Sequence, residues 1–198
     1  MYLTILTIIV TVIISIMAFS NNELMDKFIL WPRRMDSPQE YYRLLSSGFI
    51  HADWNHLLFN MFSLYFVGTY VEMVLGFGFF TLYLTGIIVA SLPSFIKNKN
   101  NSYYRSLGAS GGVSAAMFFF IYFQPWSSVN IMFIPIGIYA IVFGVIYLAC
   151  EVYMSKRGMG NVNHDAHIWG AAYGLLYGVL IDPTHGAGFI QQMLHPPF

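Results

Sequence analysis

The sequence predicts an all-α membrane protein in which six transmembrane helices form one bundle, with a long first loop at the membrane surface. Two observations predict this class. Of the 198 residues, 57% are hydrophobic and only 9% are charged, whereas about a quarter of the residues of an average soluble domain are charged. The charged residues also divide the chain into apolar blocks, and each block approaches the roughly 20 residues that a spanning helix needs.

The apolar blocks follow one another along the chain, so we expect a single membrane-embedded domain over residues 1–198. Residues 106–150 carry no charge and form a stretch too long for one helix. Turn-forming residues at 124–130 divide it into two spans. The predicted spans are residues 2–19, 54–71, 75–96, 108–124, 131–154 and 166–181.

The first span has an alternative interpretation as a cleavable signal peptide. Ala18-Phe19-Ser20 resembles a small-x-small cleavage site. No basic segment precedes the apolar stretch, however, and signal peptides usually have one. We therefore expect the first span to belong to the bundle.

Charge and cysteine content exclude several classes of partner and bond. Nine basic and nine acidic residues give a net charge of zero, and no basic patch indicates a nucleic-acid partner. Cys150 is the one cysteine, so no intramolecular disulfide can form. The partner that the composition does indicate is the lipid bilayer.

The loops carry the charges that indicate orientation in the membrane. The first loop, residues 21–53, mixes aromatic and basic side chains, which is typical of the headgroup zone. All nine Lys and Arg residues lie in the first, third and fifth loops. The positive-inside rule places those loops in the cytoplasm, with both termini outside.

A serine and a histidine lie in short glycine-rich segments of two apolar spans. Ser110 lies within Gly108-Ala109-Ser110-Gly111-Gly112, and His167 begins the last span. The glycines alone indicate close helix packing. In the last span, small residues recur every fourth position at Ala166, Gly170, Gly174 and Gly178. Packing of these small faces would bring the two side chains together as a nucleophile and its base.

A third polar cluster begins the second span. His56 and Asn60 are four residues apart and share one helical face. Two donors that point at one place can stabilise an oxyanion. Alternatively, they form interhelical hydrogen bonds worth roughly 1 kcal/mol each.

Histidine content raises the question of a metal site. Four histidines, His51, His56, His164 and His167, lie near the ends of predicted spans, and histidine is a common zinc ligand. No H-E-x-x-H motif occurs. We therefore expect no metal and no cofactor.

Three motifs in order show that the chain resembles the rhomboid family of intramembrane serine proteases. They are H-x-x-x-x-H-x-x-x-N at His51, His56 and Asn60, G-x-S-G at Gly108 to Gly111, and A-H-x-x-G-x-x-x-G at Ala166, His167, Gly170 and Gly174. The resemblance covers the chain from the first loop to the last span and implies the six-helix rhomboid bundle.

The resemblance implies a role for each motif residue. Ser110 would be the nucleophile and His167 the general base, working as a dyad without an aspartate. His56, Asn60 and the backbone N–H of Ser110 would stabilise the oxyanion. A structural role is implied for His51, Glu72, Arg43, Gly108, Gly111, Gly170 and Gly174.

The chain departs from the family pattern at two positions. Tyr42 precedes Arg43 where many members carry Trp-Arg, which keeps an aromatic residue. Ser114 occupies a position where some relatives place an aromatic ring against the histidine, so His167 would lack that ring. His164, one turn before His167, is expected to be a second polar contact.

The resemblance implies an intramembrane serine endopeptidase that hydrolyses peptide bonds in or near transmembrane segments of other membrane proteins. It also implies a multi-pass protein of a bacterial inner membrane whose active site faces the extracytoplasmic side, against the positive-inside rule. Two alternatives stay open: a non-catalytic rhomboid-like protein that binds transmembrane clients, and a small transporter or channel with a histidine relay, for which no repeated half-structure is visible.

Overall fold

The structure is a computed structural model that describes residues 2–130, 137–158 and 162–196. Within these residues, nine α-helices and one β-hairpin form. The helices are α1 (Tyr2–Phe19), α2 (Asn22–Phe28), α3 (Arg43–Ser46), α4 (Trp54–Leu75), α5 (Gly78–Lys97), α6 (Ser110–Phe123), α7 (Ala140–Arg157), α8 (His164–Ile181) and α9 (His185–Leu194). The hairpin pairs β1 (Ser128–Asn130) with β2 (Gly137–Tyr139). Three short 3-10 turns precede α4, at Pro32–Arg34, Pro38–Glu40 and Ser47–Phe49.

Three helices are long and apolar enough to cross a membrane. They are α1, α4 and α5, with lengths of 18, 22 and 20 residues. Helix α6 is equally apolar in character but has 14 residues. These helices confirm a mostly helical, membrane-embedded class, and the count of six spans stays a prediction.

Helix α1 shows directly that the outer surface of the bundle is apolar. Its buried face consists of small and mostly polar residues, Thr4, Thr7, Thr11, Ser15 and Ala18. Its large exposed side chains are Tyr2, Ile5, Leu6, Ile9, Val10, Ile13, Ile16 and Met17. This pattern is the reverse of that of a soluble helix, which buries its apolar face. Lipid is the solvent that suits such a surface.

The helix bounds follow local capping chemistry. Helix α1 has the predicted bounds, 2–19. Helix α6 begins at residue 110, two residues later than predicted, because Gly108 has a φ of 116° that no helix accommodates. Helix α8 begins at residue 164, two residues earlier than predicted, because the Asn163 side chain accepts a hydrogen bond from the backbone N–H of Ala166.

The prediction for the fifth span was wrong at its start. The helix begins at Ala140, and β2 lies where residues 137–139 were expected to be helical; residues 131–136 lie outside the described part. Val129 pairs with Ile138 across the hairpin, and Tyr139 pairs with Ser128. β-Branched and aromatic residues favour such a ladder over helix. The segment after 124 is therefore a hairpin connection and not a simple tight loop.

Helix α6 lies at the centre of the bundle. It packs against α4, α5, α7 and α8, and its contact with α8 is the most extensive in the molecule. Most of its side chains are buried. The first residue of α6 is Ser110, so the N-terminus of the central helix carries the hydroxyl that the motifs single out.

Two charged residues hold the periphery of the bundle together. The Glu72 carboxylate at the end of α4 accepts hydrogen bonds from the backbone N–H groups of Leu3 and Thr4 and from the Thr4 hydroxyl. A carboxylate at a helix N-terminus also opposes the helix dipole. The buried Arg43 guanidinium pairs with Glu40 at 2.6 Å and donates to two backbone carbonyls, those of Asp26 and Ile29. Arg43 thus ties α2 to α3 across the segment before α4.

Candidate functional site

The segment that leads into Ser110 is held by the chain before α4. Ser106 forms two backbone hydrogen bonds with Leu30, both 3.0 Å long. The Gly108 N–H donates to the Ser47 carbonyl at 2.9 Å. The backbone groups of Ser106 and the N–H of Gly108 thus have hydrogen-bond partners although they lie outside any helix. This segment therefore delivers Ser110 to the start of α6 in a defined place.

Gly108 lies directly beneath the His56 imidazole. A Cβ atom at residue 108 would lie 2.6 Å from His56 Cε1, and the φ of 116° is one that L side chains rarely adopt. Glycine is therefore required here for both steric and backbone reasons. The His56 ring therefore contacts the backbone at Gly108, two residues before Ser110 in the sequence.

Glycines of α8 lie against the backbone of α6, as the spacing of small residues predicts. A Cβ atom on Gly170 would lie 2.3 Å from the Gly111 carbonyl oxygen, and one on Gly174 would lie 2.1 Å from the Ala115 carbonyl oxygen. The two backbones are thus in contact, and we call this contact the glycine seam. It brings the first turns of α6 and α8, which carry Ser110 and His167, side by side.

The Ser110 hydroxyl is half-buried beside a small cavity. It makes no hydrogen bond to His167 or to any other residue that the structure describes. Catalytic hydrogen bonds are often long in ligand-free structures and shorten when substrate binds. The cavity measures about 10 Å³ and is bounded by Gly108, Ser110, Asn163 and Ala166, among others. That volume suits about one water molecule.

His167 lies between two side chains of α7. The Tyr147 ring stacks on the imidazole, with centroids 6.1 Å apart and planes inclined by 24°. The Tyr147 hydroxyl lies 2.8 Å from Ser114 Oγ, so the two form a hydrogen bond. The ring that the sequence lacks at position 114 is therefore supplied by α7, and Ser114 holds it in place.

Glu151 is the second α7 residue at His167. Glu151 Oε1 lies 2.9 Å from His167 Nδ1, but an N–H bond at Nδ1 does not point at the oxygen, so the two atoms are in close contact without a hydrogen bond. Glu151 Oε2 lies 2.6 Å from His164 Nδ1. The Glu151 side chain is only 8% exposed. One buried carboxylate thus bridges two imidazoles of α8.

Glu151, His164 and His167 together are a cluster of possible metal ligands, two of which belong to the four histidines of the metal hypothesis. Their ligand atoms lie within 4.8 Å of one another. Around zinc, each ligand atom would lie about 2.0–2.2 Å from the ion, and ligand atoms would be more than about 3 Å apart. Here the two carboxylate oxygens lie 2.9 and 2.6 Å from the imidazole nitrogens of His167 and His164, closer than two ligands of one zinc ion would be. His51 and His56, the other two histidines of the metal hypothesis, are not members of this cluster.

The His56 and Asn60 side chains lie on one face of α4, as expected. The Asn60 amide donates one hydrogen to the His56 backbone carbonyl at 2.9 Å, which leaves its second hydrogen for another acceptor. The His56 ring packs edge-on against the His51 ring, with centroids 5.0 Å apart.

His51 links the segment before Ser110 to helix α1. The Ala109 N–H donates to His51 Nε2 at 3.3 Å, so the ring proton is on Nδ1, 2.9 Å from Ser15 Oγ. The Ser15 hydroxyl in turn donates to the Phe49 carbonyl. Burial, reinforced by the nearby His56, lowers the pKa of His51 to about 3. The neutral ring is therefore required by its hydrogen bonds.

Acid is expected to destabilise the protein through His51. In the unfolded chain its pKa is near 6.5, so between about pH 3 and 6.5 the unfolded state binds the extra proton. The contribution to stability is complete above pH 6.5 and is lost as the pH falls, by about 1.4 kcal/mol per unit. Thermal unfolding in detergent at pH 7.0 and 5.0 measures it.

The matched variant for this prediction is His51→Gln. It keeps a polar side chain but cannot titrate, so its stability is expected to depend less steeply on pH than that of the wild type. Equal slopes for the two proteins would contradict the assignment. The comparison is made between slopes because other carboxylates and histidines titrate in both proteins.

Sequence reasoning missed three residues around the site: Tyr147, Glu151 and Asn163. Asn163 caps α8, and its amide also contacts Ser94 Oγ and Ser106 Oγ at 3.1 and 3.0 Å. Its signal is an Asn just before an apolar run, which is a helix N-cap pattern. Glu151 has a signal as well, because an ionisable residue within a membrane span is a functional candidate by default.

Comparisons with known proteins place the chain in a family. A family model described as "Rhomboid domain" matches residues 38–183. The chain is 30% identical over 156 residues to "Rhomboid protease GluP" of Bacillus subtilis, covering 78% of this chain. It is 26% identical over 163 residues to "Rhomboid protease GlpG" of Klebsiella pneumoniae, covering 80% of this chain. It is 30% identical over 148 residues to "RHOMBOID-like protein 12, mitochondrial" of Arabidopsis thaliana, covering 66% of this chain.

The matched regions are parts of longer relatives. They amount to 29% of GluP, 55% of GlpG and 44% of the mitochondrial protein. The chain thus spans between about a third and half the length of these relatives.

Proposed function

The chain belongs to the rhomboid family, and from this membership we propose that it is an intramembrane serine endopeptidase. Its reaction would be hydrolysis of peptide bonds in or near transmembrane segments of other membrane proteins. The family includes named proteases, such as the two bacterial relatives above, as well as proteins named only rhomboid-like.

The observation that carries the proposal is the glycine seam. The backbones of α6 and α8 are in contact, and Ser110 begins α6 while His167 lies in the first turn of α8, which supports pairing the hydroxyl with the imidazole. A serine needs an adjacent base to become a nucleophile. The side chain opposite Ser110 is that base in our proposal, His167.

The proposed reaction has two steps. His167 Nε2 takes the proton of Ser110 Oγ as Oγ attacks the substrate carbonyl carbon, and then gives that proton to the leaving amine as the C–N bond breaks. A water molecule from the cavity next attacks the acyl-enzyme, its proton passes to His167, and the Ser110 hydroxyl is regenerated. No cofactor takes part in this scheme.

Donors for the tetrahedral oxyanion are available around the serine. In our proposal these are the backbone N–H of Ser110, the free hydrogen of the Asn60 amide and the His56 imidazole. The Ser110 N–H is one of the first N–H groups of α6, which have no partner within the helix. Donors of this kind stabilise developing negative charge.

Substrates of this enzyme would be membrane proteins with easily unwound helices. A spanning helix satisfies its carbonyls internally, so an intact helix offers no scissile bond to the serine. Cleavage would therefore occur at small or helix-breaking residues near the membrane surface. The surrounding bilayer is the other partner, and nucleic acid is not expected.

A fluorophosphonate probe tests the proposed function. We expect the detergent-solubilised protein to be labelled on Ser110, and labelling to be lost in His167→Ala, because the hydroxyl then lacks its base. Ser20→Ala, which removes an exposed serine outside the site, is the matched control and should label normally. An unlabelled wild type that still binds a transmembrane peptide would instead favour the non-catalytic, client-binding alternative.

We also propose that six helices, α1, α4, α5, α6, α7 and α8, span the membrane and that the site opens on the side of the first loop. Relatives come from bacteria, mitochondria and plastids, so a bacterial inner membrane is one of several membranes compatible with the family. In a bacterial host, we expect the Ser110 end to face outwards.

Cysteine labelling tests this orientation. In a Cys150→Ser background, Lys97→Cys and Lys156→Cys at the Ser110 end are expected to react with an impermeant maleimide added to intact cells. Phe77→Cys, at the opposite end and 80% exposed, is the matched control and should react only after lysis. Reaction of Phe77→Cys alone in intact cells would show the reverse orientation.

A further inference from the structure

We infer that Glu151 is a positioning residue for His167, so that the site works as a Ser110–His167–Glu151 triad; this inference rests on the proposed function. The motifs that mark the chain as a rhomboid contain no acid for this role, and their resemblance implies a dyad. The acid comes instead from helix α7.

The contacts of the imidazole carry the inference. Glu151 Oε1 lies 2.9 Å from His167 Nδ1, which leaves Nε2 as the nitrogen available to Ser110. A carboxylate at Nδ1 selects the tautomer whose Nε2 accepts a proton, and it stabilises the imidazolium that forms. Both effects assist a general base, and neither is provided by any other acidic group in contact with the ring within the described residues.

The carboxylate is itself held in place. Its second oxygen lies 2.6 Å from His164 Nδ1, and both side chains are 8% exposed. Burial of a carboxylate without partners is energetically costly. His164, one turn before His167, therefore supports Glu151, and Glu151 supports the base.

The two α7 residues that contact His167 lie on the same face of that helix. Tyr147 and Glu151 are four residues apart and lie on one face of the helix. The ring covers one face of His167 while the carboxylate reaches its Nδ1 edge. A small rotation of the imidazole would align the Nδ1–H bond with Oε1. In this scheme the proton from Ser110 passes through His167 to the leaving amine and never to Glu151, which remains ionised throughout.

The test compares Glu151→Gln and Glu151→Asp with the wild type in cleavage of a model transmembrane substrate. Glu151→Gln is expected to lower kcat about 100-fold with KM unchanged, because the carboxylate acts after substrate is bound. Glu151→Asp keeps the charge and is expected to recover about tenfold of that loss. The rate of Ser110 phosphonylation should fall in the same order.

Glu72→Gln is the matched control. It neutralises another buried glutamate, which holds the start of α1. Glu72 lies at the opposite end of α4 from His56, the α4 residue of the site. We expect a lower Tm and an unchanged kcat for the folded fraction. A purely structural role for Glu151 would give that same pattern.

Each outcome decides the matter. Normal Ser110 labelling together with a wild-type kcat in Glu151→Gln overturns the triad alone, as do equal kcat values for the Gln and Asp variants. If Glu151→Gln does not fold, a wild-type kcat in Glu151→Asp overturns the triad, because a shortened carboxylate should cost about tenfold. Absence of Ser110 labelling in the wild type overturns the proposed function and the triad with it.

Discussion

Ser110→Ala is expected to lower kcat for cleavage of a transmembrane substrate by about four orders of magnitude or more, to the background of the assay. Without Oγ no acyl-enzyme can form, and the remaining donors do not supply a nucleophile. The fold should survive, because Ser110 is half-buried, does not cap α6 and makes no hydrogen bond among the described residues. We expect the free energy of unfolding to change by less than about 0.5 kcal/mol.

Two measurements check this prediction on the same preparation. Cleavage of a fluorescent transmembrane substrate in proteoliposomes reports activity, and thermal unfolding reports stability. Ser128→Ala, in the exposed edge of the hairpin, is the matched serine variant and should cleave at the wild-type rate. Residual cleavage by Ser110→Ala above the level of empty liposomes would show that another residue is the nucleophile.

Gly174→Ala is expected to give the largest loss of stability among small substitutions. Its Cβ atom would lie 2.1 Å from the Ala115 carbonyl oxygen, which is backbone and cannot rotate away. Helices α6 and α8 would have to separate, at a cost of about 3 kcal/mol, which exceeds the roughly 1 kcal/mol that alanine gains in a helix. Activity should fall too, since the separation moves Ser110 away from His167.

Gly188→Ala is the control for the seam. It makes the same change in α9, where the nearest atom to the new methyl would be 3.9 Å away. Its Tm is expected to equal or exceed that of the wild type because alanine favours helix. A Gly174→Ala protein as stable and active as Gly188→Ala would contradict the contact between α6 and α8.

Sequence patterns predicted the parts of the site that depend on spacing along one helix. Four-residue recurrence of small residues in the last span predicted its contact with α6, since residues four apart share a face. The same rule placed His56 and Asn60 together. The family motifs, in contrast, supplied the catalytic roles, which spacing alone left open between packing and chemistry.

The parts that sequence reasoning missed depend on how separate helices are rotated toward each other. Glu151 follows directly after the long uncharged stretch and lies inside the predicted fifth span, so the sequence singled it out but gave no hint of its partner. Its contact with His167 depends on the angular position of α7, which begins only after the hairpin. The misplaced start of that span shows the same problem, because turn residues alone do not distinguish a hairpin from a loop.

The difference between the glycine seam and the contacts of α7 has a consequence for how the membrane could influence the reaction. Backbone contact holds α6 and α8 at one spacing, while α7 reaches His167 only through the side chains Tyr147 and Glu151. The outer face of α7 is apolar and exposed at Val142, Val145, Ile146 and Val152. In our proposal, bilayer thickness and lateral pressure would therefore act on α7, which positions the base, while the backbone contact keeps the spacing of α6 and α8. We therefore expect lipid composition to change kcat more than KM.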